Sequence, residues 1–268
     1  MATVDTKRLG YGGSGEVDGL QVLITGGSIT ESIARPFATP LSIPASTSSR
    51  VQVLQALGTK VWTINLSFDL TLANMALFTS SRLLQRRYRF DIGYNDGEDA
   101  WRLRNCYYSS LNLTGSPGGA IACSISATSA DEIVSGGVDN NFIRDETLLG
   151  YWWSGNTLVR DWSFDVSQDV SPVHVNQGIG ESSMPPRYLR VGVWGMTLNV
   201  TTYESVQQHS SITVATRVFS LNGSTTNEEY RYGGQTELGT YAHTFEAHAD
   251  LDTMPGSDGS NNPVISIS

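Results

Sequence analysis

Residues Val61 to Leu72, VWTINLSFDLTL, constrain the fold more than any other stretch of this chain. Trp62, Ile64, Leu66, Phe68, Leu70 and Leu72 are apolar, and Thr63, Asn65, Ser67, Asp69 and Thr71 between them are polar. Successive side chains of a strand point to opposite faces, so strict period two predicts a strand with one face in a core and the other in water. The polar face is built from small side chains and carries a single acid. An echo, SFDVS at Ser163 to Ser167, returns about 100 residues later, near the size of one domain or half of a larger one.

A chain of 268 residues can bury a core without covalent staples, as one large β domain or two small ones. Its 17 Lys and Arg against 26 Asp and Glu give a net charge of -9, which argues against a surface for gripping nucleic acid, since that needs clustered cations. Only Lys7 and Lys60 are lysine. Arginine suits ordered ion pairs and interfaces through its planar, weakly hydrated guanidinium, although coding bias produces the same preference. Cys106 and Cys123 make no disulfide framework and read as small buried hydrophobes. With no charged-then-apolar start, a reducing interior is the expected site of synthesis. Asn65, Asn112, Asn199 and Asn222 each open an N-x-Ser/Thr triplet, read as chance matches in Ser- and Thr-rich strands. No apolar run approaches the roughly 20 residues of a membrane helix, and the chain is expected to be soluble or part of something soluble.

Three stretches organise the chain. Residues 1–60 read as an N-terminal arm, a first strand at Leu20 to Thr25, and an extended loop at Ala34 to Ser49 with Pro36, Pro40 and Pro44. The arm's GYGGSGE is too glycine-rich for regular structure unless a neighbour orders it, and it lacks the strand and helix of a phosphate-binding fingerprint. Residues 61–221 read as the β body. One helix is predicted over Asn74 to Arg87, with Arg86 and Arg87 at the negative end of its dipole. Alternation resumes at Tyr88, and Trp101 to Thr114 pairs with Ala120 to Thr128 across Gly115 to Gly119, with Leu111 facing Cys123 and no Cys106 to Cys123 bridge. Arg160 is the one misfit on the apolar side of the strand around Trp162. In Tyr188 to Thr202 the apolar positions move from odd to even around Gly192 and Gly195, which signals a bulge. Residues 222–268 add strands and an arm to the same domain. The fold class is mainly β, an antiparallel sandwich or barrel with one flanking helix.

The halves also echo each other. SFDLT, RYRFDIG, SLNLT and AIACSIS in the first half are matched in order by SFDVS, RYLRVG, TLNVT and SITVAT in the second. Four matches in register suggest an internal pseudo-repeat, though strand-rich sequences also produce such coincidences.

Catalytic chemistry finds no anchor. His174, His209, His243 and His248 are scattered, and the last two, five apart, fall on opposite faces of one strand. There is no HExxH, CxxC, GxSxG or P-loop, and Asp161, Asp165 and Glu246 carry no mark of a shared cleft. No enzyme, cofactor or metal is expected. Arg82, Arg86, Arg87, Arg89, Arg102 and Arg104 place six of fifteen arginines within 23 residues. Nucleic acid is one reading of that cluster, and in an acidic chain an acidic face of a sister subunit fits at least as well. Trp101, Trp152, Trp153, Trp162 and Trp194 are either core residues or a sugar-stacking platform, so a carbohydrate-binding sandwich is the alternative reading.

DWSFDVSQDVSPVHVNQGIGESSMPPRYLRVGVWGMTLNVTTYE, Asp161 to Glu204, resembles the tail tube proteins of tailed bacteriophages, and NCYYSSLNLTGSPGGAIACSIS looks like the other half of the same sandwich. The resemblance runs from about Val61 to Leu221 and is a pattern of strand residues, not a catalytic signature. It implies a β-sandwich flanked by a helix, with subunits in hexameric rings stacked into a virion tube for DNA and the tape measure protein. It also implies assembly in the host cytoplasm beside sheath, terminator and baseplate proteins, and no specific DNA binding or membrane contact. The chain is longer than the smallest family members, which leaves room for a surface elaboration, a trimer of duplicated subunits, or a baseplate or hub role. Under this reading Thr63, Asn65, Ser67, Asp69 and Thr71 face the lumen or outer solvent, and the six clustered arginines serve the subunit interface.

Overall fold

The computed structural model describes residues 3–9, 14–34, 37–38, 54–55, 58–71, 73–74, 77, 83, 88–95, 98–116, 119–138, 159–173, 183–184, 188–203, 211–214, 217–221, 225–232, 238–249 and 265–267. The first strands are β1 (Thr3–Leu9), β2 (Ser14–Val17), β3 (Leu20–Ala34), β4 (Phe37–Ala38), β5 (Leu54–Gln55) and β6 (Gly58–Asp69). There follow β7 (Phe90–Asn95), β8 (Ala100–Gly115), β9 (Ala122–Ser129), β10 (Val134–Ser135), β11 (Val159–Val173) and β12 (Ser183–Met184). The last are β13 (Tyr188–Thr202), β14 (Ser211–Val214), β15 (Arg217–Leu221), β16 (Thr225–Arg231), β17 (Thr240–Ala249) and β18 (Ile265–Ile267).

The chain is mainly β, and its sheet is antiparallel apart from the two-residue β12–β6 pairing. Following the pairings β3–β6, β6–β9, β9–β8, β8–β7, β7–β2 and β2–β3 returns to the start, so six strands close a barrel. Closure removes the unpaired edges of those strands, the features most open to aggregation. Leaving the barrel, Ser110 to Thr114 of β8 pair with β9 on one side and β11 on the other, and the sheet runs on through β13 and β17 to β16.

The predicted opening strand is β6. Ile64, Leu66, Phe68 and Leu70 are buried in one core with Phe90, Tyr108, Ile125, Phe164, Leu198 and Phe245. The longer strands reach that core only by changing face at bulges. In β8 the buried set passes from Trp101 and Leu103 to Cys106 and Tyr108, then to Leu111 and Leu113, with register breaks between residues 103 and 106 and between 108 and 110. Asn105 takes the first break in a left-handed conformation, φ 51°, which asparagine tolerates better than most residues. Arg160 is a bulge residue: Val159 pairs with Thr202 and Asp161 with Thr201, so the arginine turns outward while Val159 and Trp162 are both buried. The slip read at Gly192 is likewise a bulge, three residues of β13 (Val191 to Trp194) advancing against two of β11 (Gln168 to Val170).

Several expectations change. The glycine-rich N-terminus holds β1 and β2, ordered by β3 and β7. The first strand is therefore far longer than Leu20 to Thr25, and residues 14–34 complete the barrel. Gly15 is needed where Ile24 and Val22 close in on β2, since a Cβ there would lie 2.6 Å from Ile24 Cγ1 and 2.9 Å from Val22 Cγ2. Asp18 and Gly19, at φ 51° and 82°, make the tight β2–β3 hairpin turn, an Asp-Gly signal that the glycine count obscured. The β8–β9 turn is longer than Gly115 to Gly119, so Leu113 rather than Leu111 faces Cys123; a shift of two keeps the faces unchanged. The predicted helix lies outside the described residues except for Asn74, Leu77 and Leu83, all buried. Of the echoing segments, the first four fall on β6, β7, β8 and β9, the second four on β11, twice on β13, and on β14. The SFDVS and TLNVT segments are neighbours, whereas β9 separates SFDLT from SLNLT.

Candidate functional site

Strand period and register build one surface from many strands. The outward residues of β6 continue sideways in rows: Asn65 beside Ser126, Ser67 beside Ser124, Asn112 beside Ser124 and Asp165, and Thr197 beside Asp165 and Glu246. A parallel row runs Thr114, Ser163, Asn199, Thr244. Asn65, Ser110, Thr114 and Ser167 are exposed, and Thr63, Ser67, Asp69, Asn112 and Asp165 are half-buried. Thr71 departs from its expected place in solvent: it lies beyond the end of β6, is 1% exposed, and closes a turn with Asn74. The Thr71 N–H donates to Asn74 Oδ1 at 2.8 Å and the Asn74 N–H to Thr71 Oγ1 at 3.3 Å.

The surface is tied together across strands. Thr244 Oγ1 donates to Asn199 Oδ1 (2.9 Å), Asn199 Nδ2 to Ser163 Oγ (3.3 Å), and Ser163 Oγ to Asp165 Oδ2 (3.2 Å). Asn112 Nδ2 donates to the other Asp165 oxygen, Oδ1. One relay thus spans β17, β13, β11 and β8 and ends on a carboxylate, which accepts more strongly than a neutral group. On the barrel side Ser126 Oγ donates to Asn65 Oδ1 at 2.5 Å, and the Ser67 and Ser124 hydroxyls meet at 3.2 Å. Asn65, Asn112 and Asn199 head three of the N-x-Ser/Thr triplets, which arise here because residues i and i+2 of a strand share a face. That spacing was the available signal for the wider surface.

The charge on these rows has one sign. Thr63 to Asp69, Ala122 to Thr128, Ser110 to Thr114, Ser163 to Ser167, Thr197 to Thr201 and Thr244 to Glu246 place no Lys or Arg outward, and they carry Asp69, Asp165 and Glu246. Burial pushes the Asp69 carboxyl above its ordinary value. The nearest arginine in sequence, Arg160, sits at the margin 3.6 Å from Asp161. Lys60 is also withdrawn, pairing with Glu31 (2.6 Å) and Glu132 (2.8 Å). Burial alone would lower its ammonium, but the hydrogen bonds and charges of Glu132 and Glu31 outweigh this and raise it.

The predicted arginine cluster is only partly brought together. Arg102 Nη2 donates to Glu16 Oε1 (2.6 Å) and Gly137 O (2.7 Å), a contact within the chain. Arg89 is exposed and donates from Nε to Tyr107 Oη at 2.6 Å; Arg104 is exposed on the β8 bulge. Arg82, Arg86 and Arg87 lie outside the described residues. Trp101 and Trp162 are core residues, the latter packed on the Gly115 backbone where a Cβ would meet its ring at about 2.6 Å, so neither offers a face to a sugar. Trp152 and Trp153 lie outside the described residues. An open depression of about 470 Å³ beside Trp162 is lined by Thr114, Ser116, Asp161, Ser163 and Asn199. His243 is buried with Nε2 3.2 Å from Thr202 Oγ1. Among the described residues no three His, Cys, Asp or Glu side chains group to hold a metal. Burial pushes both the Cys106 and Cys123 thiols up, aided at Cys106 by Asp91 and Asp131, which leaves them unreactive. No described helix is long and apolar enough to cross a membrane.

Fold and surface together define an antiparallel β-barrel protein whose sheet extends past the barrel and carries a polar face free of cations across the rows of β6, β9, β8, β11, β13 and β17. No protein-family model matches the chain, and no curated protein matches it in sequence.

Proposed function

We propose that the chain is a self-assembling structural subunit of a tubular conduit of the phage tail tube type, with its hydroxyl- and amide-rich face turned to the passage. The observation that carries this reading is the absence of outward Lys and Arg from rows crossing six strands, β6, β9, β8, β11, β13 and β17. A wall that lets a polyanion slide must hydrate it without neutralising phosphates, because each cation paired to a phosphate adds salt-dependent affinity. Fixing the polar side chains to one another by hydrogen bonds also leaves fewer donors free to hold a passing phosphate. The helix at Asn74 to Arg87, the ring symmetry, the tape measure protein as inner partner and a place in the virion tail belong to the proposal.

The test is negative-stain microscopy of the purified chain, with rings or tubes expected. DNA retention measured beside it should be negligible for the natural chain and should appear, salt-dependent, in assemblies of a Ser67→Arg, Ser124→Arg variant. A monomer at all concentrations that is held by a polysaccharide column overturns the reading in favour of a carbohydrate-binding module.

A further inference from the structure

The pairings lay nine strands side by side, β1–β3–β6–β9–β8–β11–β13–β17–β16, every neighbour antiparallel. Among the described residues the outer edges of β1 and β16 have no partner strand, and both strands are seven residues long. An unpaired edge of that length without proline is a template for another strand. The β16 end also holds an exposed apolar group: Tyr230 is 55% exposed, Tyr232 85%, Leu238 75% and Tyr203 37%. Tyrosines that pack on each other at a sheet edge, as Tyr230 does on Tyr241 with centroids 4.9 Å apart, are favoured interface residues.

We infer that the occupant of the β16 edge is β1 of a second copy of this chain, joined head to tail so that the sheet and its polar face continue from one subunit to the next. Charge and direction select this pairing. The β16 sequence TTNEEYR carries two acids and one base, whereas β1, TVDTKRL, carries two bases and one acid. Pairing β16 with its own copy about a twofold axis would set the central Glu228 opposite itself, a like-charge contact that disfavours the symmetric dimer. Nine alternating strands leave β1 and β16 running the same way, so copies related by rotation about an axis along the strands meet in parallel. Arg8 pairs with Ser28 and through it with Asn65, and Glu229 pairs with Ala242 beside Thr201, so the polar face continues across the joint when Thr6 lies beside Asn227 and Arg8 beside Glu229. A head-to-tail contact of this kind closes a ring when its rotation divides a full turn and otherwise runs on as a filament. The inference rests on the self-assembly reading above.

Cysteine cross-linking of the full chain tests it, since native Cys106 and Cys123 are both 0% exposed. Arg8→Cys with Glu229→Cys, or Thr6→Cys with Asn227→Cys one alternation along, should give a ladder of dimers, trimers and higher species on a non-reducing gel. Each single variant should give none. A charge swap, Arg8→Glu with Glu229→Arg, should restore an association that either change alone weakens by up to about five-fold. Rings in the microscope without a ladder from either pair overturn the inference and leave the proposed function standing. Dimers from Glu228→Cys alone, the position a twofold edge sets opposite itself, overturn it in favour of the symmetric edge, and a chain that never assembles removes both.

Discussion

Two strands carry the same Ser-Phe-Asp tripeptide in different surroundings. In β6 Phe68 is 0% exposed and Asp69 points to the polar face; in β11 Phe164 is 1% exposed and Asp165 points to that same face. The aromatic rings do equivalent work, because burial follows from strand period alone. The carboxylates do not. Asp165 has Asn112 on one side and Ser163 two residues before it, both donating to it. Asp69 has Leu23 and Ala122 as its cross-strand neighbours, which offer a side-chain donor on neither side, and burial raises its carboxyl. The local sequence fixes which way a side chain points, whereas the neighbouring strands decide whether that placement stabilises or costs.

The largest expected effect tests the half that is alike. Phe68→Ala and Phe164→Ala should each lower unfolding free energy by about 3–5 kcal/mol, the cost of a lost buried ring plus the cavity left behind. Urea unfolding with matched slopes measures it. A Phe164→Ala loss below about 1 kcal/mol would break the equivalence and mark the sheet beyond the barrel as loosely packed.

The next effect separates the carboxylates. Asp165→Ala removes the acceptor at the end of the relay and leaves the Asn112 amide and Ser163 hydroxyl without that partner in a half-buried setting. A loss of about 1–2 kcal/mol is expected, below the range for a fully buried charged hydrogen bond because water can enter. Asn112→Ala combined with Asp165→Ala should cost less than the sum of the two singles. Strict additivity would show that the relay has no energetic content.

How much of this the chain reveals in one dimension follows from the same contrast. The inward face of β6 was legible because unbroken alternation from Trp62 to Leu72 allows one solution. The β13 bulge was legible from a change of phase at Gly192, whereas Arg160 stood out only as a misfit until the register of β11 and β13 showed a bulge there. In β8 the face changes twice, at Asn105 and Ser109, and the two slips cancel, so the strand looked continuous. Barrel closure was hidden because it depends on β2 meeting β7, Ser14 beside Asn95, a pairing between segments with no local signature. The polar face was visible one strand at a time, through Thr63 to Asp69 and the N-x-Ser/Thr triplets. Its lateral continuity needs register, and register is a property of pairs.

The smallest effect probes Asp69 itself. Its carboxyl is raised in the folded chain, so it binds a proton more readily folded than unfolded. A group of this kind supports the fold fully below the unfolded carboxyl value of about 3.9 and loses that support as pH rises through the folded value. At neutral pH the charged Asp69 therefore costs stability. Asp69→Asn removes the charge and keeps the shape, and should raise stability at pH 7 by no more than about 0.5 kcal/mol, the usual scale for a half-buried site that water still reaches. The gain should vanish near pH 3, where the natural residue is already neutral. Thermal unfolding of both proteins at the two pH values measures the difference. Asp165→Asn sharpens the comparison, because it weakens acceptance from Asn112 and Ser163 and should destabilise at pH 7. If both substitutions moved stability in the same direction at that pH, the neighbouring strands would not be what distinguishes the two acids.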